Sequence, residues 1–228
     1  MRTALLVEQF QQLPALPDGD FLGGRSVELH THLERFRLQV SAKYNEGTLQ
    51  RMLAHPAVQA RRAALLALGL TGTMLSNAEA ASCLHDEDAQ VRRLAADALW
   101  NIWFRAEGDA PKRELQRLSQ LRDPNKSIRG INILLNKLPD FAEAYNQRAI
   151  AQFRRGEYQK AISDCETALM LNPHHFGAQS GIGRCLMKMR KPRAALRAFR
   201  KALNIYPDLE DVAESIRTLE ERLGDDRK

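Results

Sequence analysis

Apolar residues recur along this chain at steps of three and four, the spacing that places side chains on one face of an α-helix. The first clear stripe runs through Leu29, Leu33, Phe36, Val40 and Tyr44. A stripe of the same period near the carboxyl end, with charged residues opposite it, runs through Val212, Ile216, Leu219 and Leu223. Residues 4–13 are compatible with a short helix, residues 14–24 have the proline and glycine content of a loop, and Ser26 is predicted to cap the helix that follows.

Residues 142–209 contain one sequence unit twice, at a spacing of 34. Each copy holds two helical patterns separated by a tight turn, at Arg155-Gly156-Glu157 and then at Arg190-Lys191-Pro192. Small residues recur where two helices must approach closely, and a proline ends each copy because it cannot continue a helix. The matched pairs are Ala149 and Gly183, Ala161 and Ala195, Cys165 and Phe199, Ala168 and Ala202, Leu169 and Leu203, and Pro173 and Pro207. A period of this length predicts stacked helix pairs.

This stretch resembles the tetratricopeptide repeat family at its small, aromatic and proline positions. The residues that carry the resemblance are Tyr145, Ala149, Gly156, Tyr158, Ala161, Ala168 and Pro173, then Gly183, Leu186, Ala195, Phe199, Ala202 and Pro207. Gln152 and Gln179 depart from the pattern, since each stands where the family carries an aromatic residue. The resemblance implies an all-α fold, a right-handed α-α superhelix (solenoid) of antiparallel helix pairs.

The resemblance also implies a binding groove, because the first helix of each pair would face inward. Its lining would be Glu143, Asn146, Ile150 and Phe153, then Ser180, Arg184, Met187 and Lys188. Arg184 and Lys188, four residues apart, share a helical face and are placed to hold a partner's carboxylate. Family members that clamp the carboxyl terminus of chaperones use Lys and Asn residues from inward helices, a set that this chain matches in part. Packing against flanking units is the alternative role for Phe153 and Met187.

A second repeat, with an offset of 31, spans residues 47–104. The segment from Leu84 to Leu99 resembles the HEAT-repeat family. That resemblance implies that an Asp at the start of a second helix and an Arg six residues later bridge adjacent repeats, and Asp86 and Arg92 match this pair. The first copy departs from the pattern, because His55 stands in the Asp position ahead of Arg61.

These patterns divide the chain into four segments. They are an N-terminal extension and lead helix at 1–45, HEAT-like repeats at 46–107, a bridging helix pair at 108–139, and tetratricopeptide-like repeats with a C-terminal capping helix at 140–228. In the bridging pair, which reads as a degenerate repeat, Pro111 opens one helix, residues 123–125 form a turn, and the second helix begins at Ser127. No flexible linker longer than a few residues appears, so one continuous stack is expected.

The net charge of +6 is unevenly distributed. Residues 176–207 contain eight Lys or Arg and no acid, whereas residues 208–228 contain eight Asp or Glu. Such a basic block favours an acidic partner, or attraction between neighbouring helices. Arg193, Arg197, Arg200 and Lys201 would form an outward stripe, which leaves nucleic-acid binding as the alternative function.

No residue pattern predicts a catalytic site, a metal site or a cofactor. Cys165, His174, His175 and Cys185 include the residue types that bind zinc, but Cys165 occupies the packing position that Phe199 holds in the next copy. His30 and His32 are two apart and cannot share a metal from one helical face. No apolar run reaches the roughly 18 residues of a membrane span. Three cysteines without paired spacing favour the reducing cytoplasm.

The sequence therefore predicts a non-enzymatic scaffold or adaptor. Its expected partner is a protein or peptide, including an acidic one, bound in a concave groove. No cofactor is expected, and nothing in the sequence indicates the oligomeric state.

Overall fold

The computed structural model describes residues 2–14 and 27–225, so most of the predicted loop at 14–24, and the predicted cap Ser26, lie outside the described residues. Over the described part the chain forms thirteen α-helices and two 3-10 turns, and no strand. The helices are α1 (Arg2–Gln11), α2 (Val27–Lys43), α3 (Glu46–Met52), α4 (Val58–Thr71), α5 (Asn77–Ser82), α6 (Ala89–Arg105), α7 (Asp109–Ser119), α8 (Pro124–Lys137), α9 (Ala142–Arg154), α10 (Tyr158–Leu171), α11 (Phe176–Lys188), α12 (Pro192–Ile205) and α13 (Glu210–Asp225). The predicted all-α fold of packed helix pairs is confirmed.

The chain divides into two compact units, Met1–Trp103 and Phe104–Lys228. In the first unit α4 is central, because α1, α2 and α3 all pack against it. Residues 63–68 of α4 are buried on every side, as expected for a helix that neighbours enclose. The predicted apolar stripe of α2 is also buried, with Phe36 2% and Val40 0% exposed.

The two copies of the 31-residue repeat share the same local hydrogen bonds. Nη1 of Arg61 donates to the carbonyls of His55 and Pro56 at 3.0 and 3.3 Å, and Nη1 of Arg92 donates to those of Asp86 and Glu87 at 2.9 and 3.1 Å. The guanidinium of Arg61 also donates twice to the Asp86 carboxylate, at 2.8 Å each. The carboxylate of Asp86, which the resemblance predicts to bridge adjacent repeats, therefore binds an arginine of the preceding copy, Arg61. Membership of the HEAT-repeat family stays a prediction.

In the second unit each helix from α7 to α13 packs on the next. Alternate helices also touch, since α9 contacts both α7 and α11. α8 begins at Pro124, earlier than the predicted Ser127, because Asp123 accepts the N–H of Asn125 at 2.8 Å and proline suits the first helical turn. The degenerate repeat pattern did not reveal this cap.

Small residues allow the helices of the second unit to pack closely. A Cβ atom at Gly183 would lie 2.4 Å from the Phe199 ring, and one at Gly130 would lie 2.2 Å from a Leu118 methyl group. Phe199 is 1% exposed and belongs to the cluster that includes Val212 and Leu219 of α13. The predicted capping helix is thus attached through its apolar stripe.

The two turns at a spacing of 34 have the same backbone hydrogen bonds. The N–H of Gly156 donates to the Phe153 carbonyl at 3.0 Å, and the N–H of Arg190 donates to the Met187 carbonyl at 3.0 Å. Both turn residues have positive φ, 79° at Gly156 and 57° at Arg190. The second turn therefore places a side chain in the left-handed region that the first turn gives to glycine.

Candidate functional site

The residues predicted to line a groove lie on α9 and α11, the first helices of the two copies. These helices contact each other directly as well as through α10. The position of α9 is fixed by Arg148, whose guanidinium donates twice to Asp164 of α10 at 2.7 Å and once to Asn132 of α8 at 2.8 Å. The hydrogen bond to Asp164 raises the pKa of Arg148, which is therefore a permanent cation in this junction. The eight predicted residues divide into buried, half-buried and exposed ones.

Asn146 and Ser180 are buried, at 3% and 7% exposure. The side-chain amide of Asn146 donates to the Glu143 carboxylate at 3.3 Å, and the hydroxyl of Ser180 donates to the Gly177 carbonyl at 3.0 Å. Both side chains are occupied inside the protein. They position the two helices and have little surface to offer a partner.

Glu143, placed in the groove by the sequence, is fully buried beneath this surface. Its carboxylate accepts a hydrogen bond from Gln147 at 2.6 Å and lies 2.8 Å from Nε2 of His175. Nδ1 of His175 accepts the N–H of Ala178 at 3.1 Å and so caps α11. Because Nδ1 must then lack a proton, Nε2 carries it and donates to Glu143. The pair is a hydrogen-bonded junction between the repeats.

Phe153 and Met187 are half-buried, and each packs in the protein interior. Phe153 meets Tyr158 edge to face at 5.4 Å between ring centroids and lies against the cluster around Ala161. Met187 lies against the cluster that contains Val212. Both residues therefore make packing contacts, as the alternative role requires, and their part in a groove stays a prediction.

Ile150, Arg184 and Lys188 are the exposed members of the predicted set. Ile150 is 46% exposed, a large value for an isoleucine in a packed helix. The guanidinium of Arg184 binds the carboxylate of Asp211 in the first turn of α13. Both side chains of this ion pair remain more than half exposed, at 55% and 60%. No sequence pattern predicted Asp211 as a partner of Arg184.

The basic stripe of α12 lies on a different surface. Arg193, Arg197 and Lys201 are exposed, whereas Phe199 of the same helix is buried. Arg200 binds Glu220 of α13 at 2.6 Å. The stripe therefore faces outward as predicted, and one of its four cations is paired within the protein.

Cys165, His174, His175 and Cys185 include the residue types that bind zinc, but they do not form a group of metal ligands. Among the residues that the structure describes, no three His, Cys, Asp or Glu side chains are grouped to hold a metal ion. Cys165 and Cys185 are buried, and burial raises the pKa of both thiols, that of Cys185 to about 11. His30 and His32 lie on α2, and Nδ1 of His32 is 2.8 Å from the carbonyl oxygen of Glu28. No helix in the described ranges has both the length and the apolar character to cross a bilayer.

Comparison with known protein families decides what the packed pairs are. The tetratricopeptide repeat family matches residues 142–175 and, a second time, residues 178–209. The chain carries tetratricopeptide repeats. The boundaries of the two matches coincide with α9 to α10 and α11 to α12, so the predicted resemblance is confirmed over these repeats. The resemblance predicts that the binding groove lies on α9 and α11.

Two curated relatives are each similar to somewhat more than a third of this chain. A TPR repeat-containing protein of Rhizobium etli is 38% identical over 89 residues, which are 39% of this chain and 44% of the relative. Small glutamine-rich tetratricopeptide repeat-containing protein 2 of Saccharomyces cerevisiae is 32% identical over 87 residues, 38% of this chain and 25% of the relative. The matched part therefore spans less than half of each relative.

A solved structure is also similar to this chain. It is the first TPR of Spaghetti (RPAP3) bound to the HSP90 peptide SRMEEVD, at 20% identity and a TM-score of 0.46. The similarity covers 49% of this chain and 94% of that one.

Proposed function

We propose that this protein is a non-enzymatic adaptor that binds an acidic peptide or helix of a partner protein on the exposed part of α9 and α11. The observation that supports this function is the exposure of Arg184 and Lys188, one helical turn apart, on a helix that contacts the helix of Ile150. An exposed apolar side chain on one helix and two exposed cations on the helix that contacts it suit a peptide that carries both an apolar residue and carboxylates. Helical repeats offer extended surfaces of this kind.

Fewer residues are proposed to bind the partner than the sequence predicted. Ile150 would anchor the apolar residue, and Arg184 and Lys188 would bind carboxylates. Arg184 already binds the carboxylate of Asp211. This contact supports the proposal that Arg184 can bind a partner's carboxylate in place of Asp211. Asn146 and Ser180 would act by positioning the helices, since both are buried.

A peptide array tests the proposed surface by charge. Random 12-residue peptides are probed with the wild-type chain, with Arg184→Glu/Lys188→Glu, and with Arg193→Glu/Arg197→Glu as a matched control. Both double variants reverse two exposed cations four residues apart, one pair on α11 and the other on α12. We expect the wild type and the control to select acidic peptides, and the α11 variant to lose that selection or prefer basic ones. Equal selection by all three proteins would refute the surface.

Nucleic-acid binding is the second candidate, because Arg193, Arg197 and Lys201 are exposed along one face of α12. Such binding weakens steeply with salt, since each neutralised phosphate releases counterions. Titration of a labelled single-stranded oligonucleotide at about 0.15 M salt discriminates the two functions. Tight binding that the α12 double reversal abolishes would favour this candidate over the adaptor.

A cytoplasmic location suits both candidates. The three cysteines are free and buried, so the described fold contains no disulfide that would require an oxidising compartment. Fractionation of cells that express the full-length protein, followed by immunodetection, tests the location.

A further inference from the structure

Asp211 binds the guanidinium of Arg184, which the proposed partner would also need to bind. It lies in the first turn of α13, and its carboxylate binds Arg184 of α11 across 27 residues of sequence. The neighbouring residue Val212 is 1% exposed and packs with Phe199 and Leu219. Because Val212 is anchored in the core, α13 holds the Asp211 carboxylate beside Arg184 at a high effective concentration.

The ion pair is also weak enough to exchange. Both side chains are more than half exposed, and water and salt compete strongly for pairs of this kind. An external carboxylate that reaches Arg184 therefore needs to displace only a loosely held internal one. It would also have to approach against the negative charge of Glu210, which is exposed on the same helix.

We infer that Asp211 is a built-in competitor that masks Arg184 until an acidic partner displaces it. This inference rests on the proposed function, because it concerns the ligand of the same surface. Asp211 then sets a threshold for binding. A partner with a single carboxylate gains no net contact by displacing Asp211, whereas a partner that also contacts Lys188 and Ile150 gains over the internal carboxylate. The competitor thus favours ligands that contact both α9 and α11.

The probe for the test is a fluorescein-labelled eight-residue peptide of alternating leucine and glutamate with a free carboxyl terminus. Its affinity is measured by fluorescence anisotropy for the wild type, Asp211→Asn and Glu220→Gln. The control Glu220 is also on α13 and also pairs with an exposed arginine, Arg200, but on the outer helix α12. Both substitutions remove one negative charge, so non-specific attraction changes equally.

We expect Asp211→Asn to bind the peptide about two- to fivefold more tightly, the range that the loss of an exposed ion pair allows. Glu220→Gln should match the wild type. In an Arg184→Gln background, Asp211→Asn should have no effect, since the two residues then have nothing to exchange. Equal affinity of the wild type and Asp211→Asn, or an equal gain in Glu220→Gln, would overturn the inference.

Failure of the proposed function gives a different result. If none of the variants binds the peptide, or if Arg184→Gln binds as tightly as the wild type, the surface on α11 does not bind acidic ligands. If the wild type binds through Arg184 and Asp211→Asn changes nothing, the proposed function stands and only the internal competitor is refuted. Circular dichroism melts of each variant confirm that all are folded.

Discussion

The carboxylate of Glu143 lies 2.8 Å from Nε2 of His175, and both side chains are completely buried. Glu143 lies in the first turn of α9, and His175, 32 positions later, caps the start of α11. Since Nδ1 of His175 accepts the N–H of Ala178, one imidazole both caps α11 and satisfies a buried carboxylate on α9. The contact fixes the relative position of the two helices that carry the proposed binding surface.

Replacement of His175 by alanine should destabilise the second unit. It removes the cap of α11 and the donor that the buried Glu143 carboxylate receives from α11, for a combined cost of about 2–4 kcal/mol. Urea unfolding followed by circular dichroism measures this loss. The matched control is His174→Ala, because His174 is adjacent but half-buried, and it should change stability by less than about 0.5 kcal/mol. Equal effects of the two substitutions would contradict the proposed role of the junction.

Arg190 is expected to strain its turn, whereas Gly156 causes no strain at the equivalent position of the first turn. Arg190 has φ of 57°, a region in which a residue with a Cβ atom costs about 1–2 kcal/mol. Arg190→Gly should therefore stabilise the protein by about 0.5–1 kcal/mol, after allowance for the greater freedom of glycine in the unfolded chain. The reciprocal change Gly156→Ala should destabilise by about 1 kcal/mol.

The environment of Gly156 makes this comparison clean. The nearest heavy atom to a Cβ at this position is the Tyr158 hydroxyl, 4.0 Å away, so the cost comes from the backbone and not from a clash. Thermal melts of the two variants against the wild type would show shifts of opposite sign. Shifts of the same sign would mean that the two turns are not equivalent.

Acid should weaken the first unit through Asp86 and Asp88. Burial raises the pKa of Asp86, but hydrogen bonds from Arg61 and the Asp88 amide outweigh it, and the net pKa is lowered. The hydrogen bond from Arg62 is the main reason that the pKa of Asp88 is lowered. A depressed pKa in the folded state means that the unfolded state takes up protons first. Stability should therefore be full above pH about 4 and fall as the pH drops below that value.

Urea midpoints measured between pH 7 and pH 2 check this expectation. The double variant Asp86→Asn/Asp88→Asn should be less stable at pH 7 and should lose less stability on acidification than the wild type. Glu87→Gln is the control, because Glu87 lies between the two aspartates and is exposed. An acid-induced loss in the double variant as large as in the wild type would exclude these two carboxylates as its source.

The cysteines should be inert in the folded protein. Burial raises the pKa of Cys83 and Cys185 to about 11 each, and burial also raises the pKa of Cys165. Because the thiolate is the reactive form, iodoacetamide at pH 7.5 should label none of the three quickly without denaturant and all three in urea. Mass spectrometry of the treated chain counts the labels. Rapid labelling of Cys165 in the native protein would show that the core around this residue opens readily.

The sequence predicted the repeated parts of the fold well, because repeated packing leaves a periodic trace. The spacing of 34 located both tight turns, including the one where Arg190 replaces glycine, and Gly183 was matched to a close approach that the Phe199 ring now explains. The start of α8 was missed because its cap, Asp123, lies in a degenerate repeat. Local hydrogen bonds of this kind depend on a single residue and have no period.

The candidate surface could be predicted only in part. The family resemblance assigned Asn146 to the inward face of α9 and Arg184 to that of α11, but Asn146 is buried and Arg184 is exposed. The difference depends on which neighbour covers each turn, and a helical period does not contain that information. The partner of Arg184 is equally non-local, since Asp211 belongs to a helix outside both repeat copies.

The amino-acid sequence by itself determined that this chain is helical, that its helices pair at a spacing of 34, and that tetratricopeptide repeats lie at residues 142–209. These properties follow from short-range spacing, which every helix expresses in its own residues. The tertiary structure alone decided that Glu143 contacts His175 and that Asp211 forms an ion pair with Arg184. Such contacts join residues distant in the chain, so only the packing of the helices brings the paired side chains together.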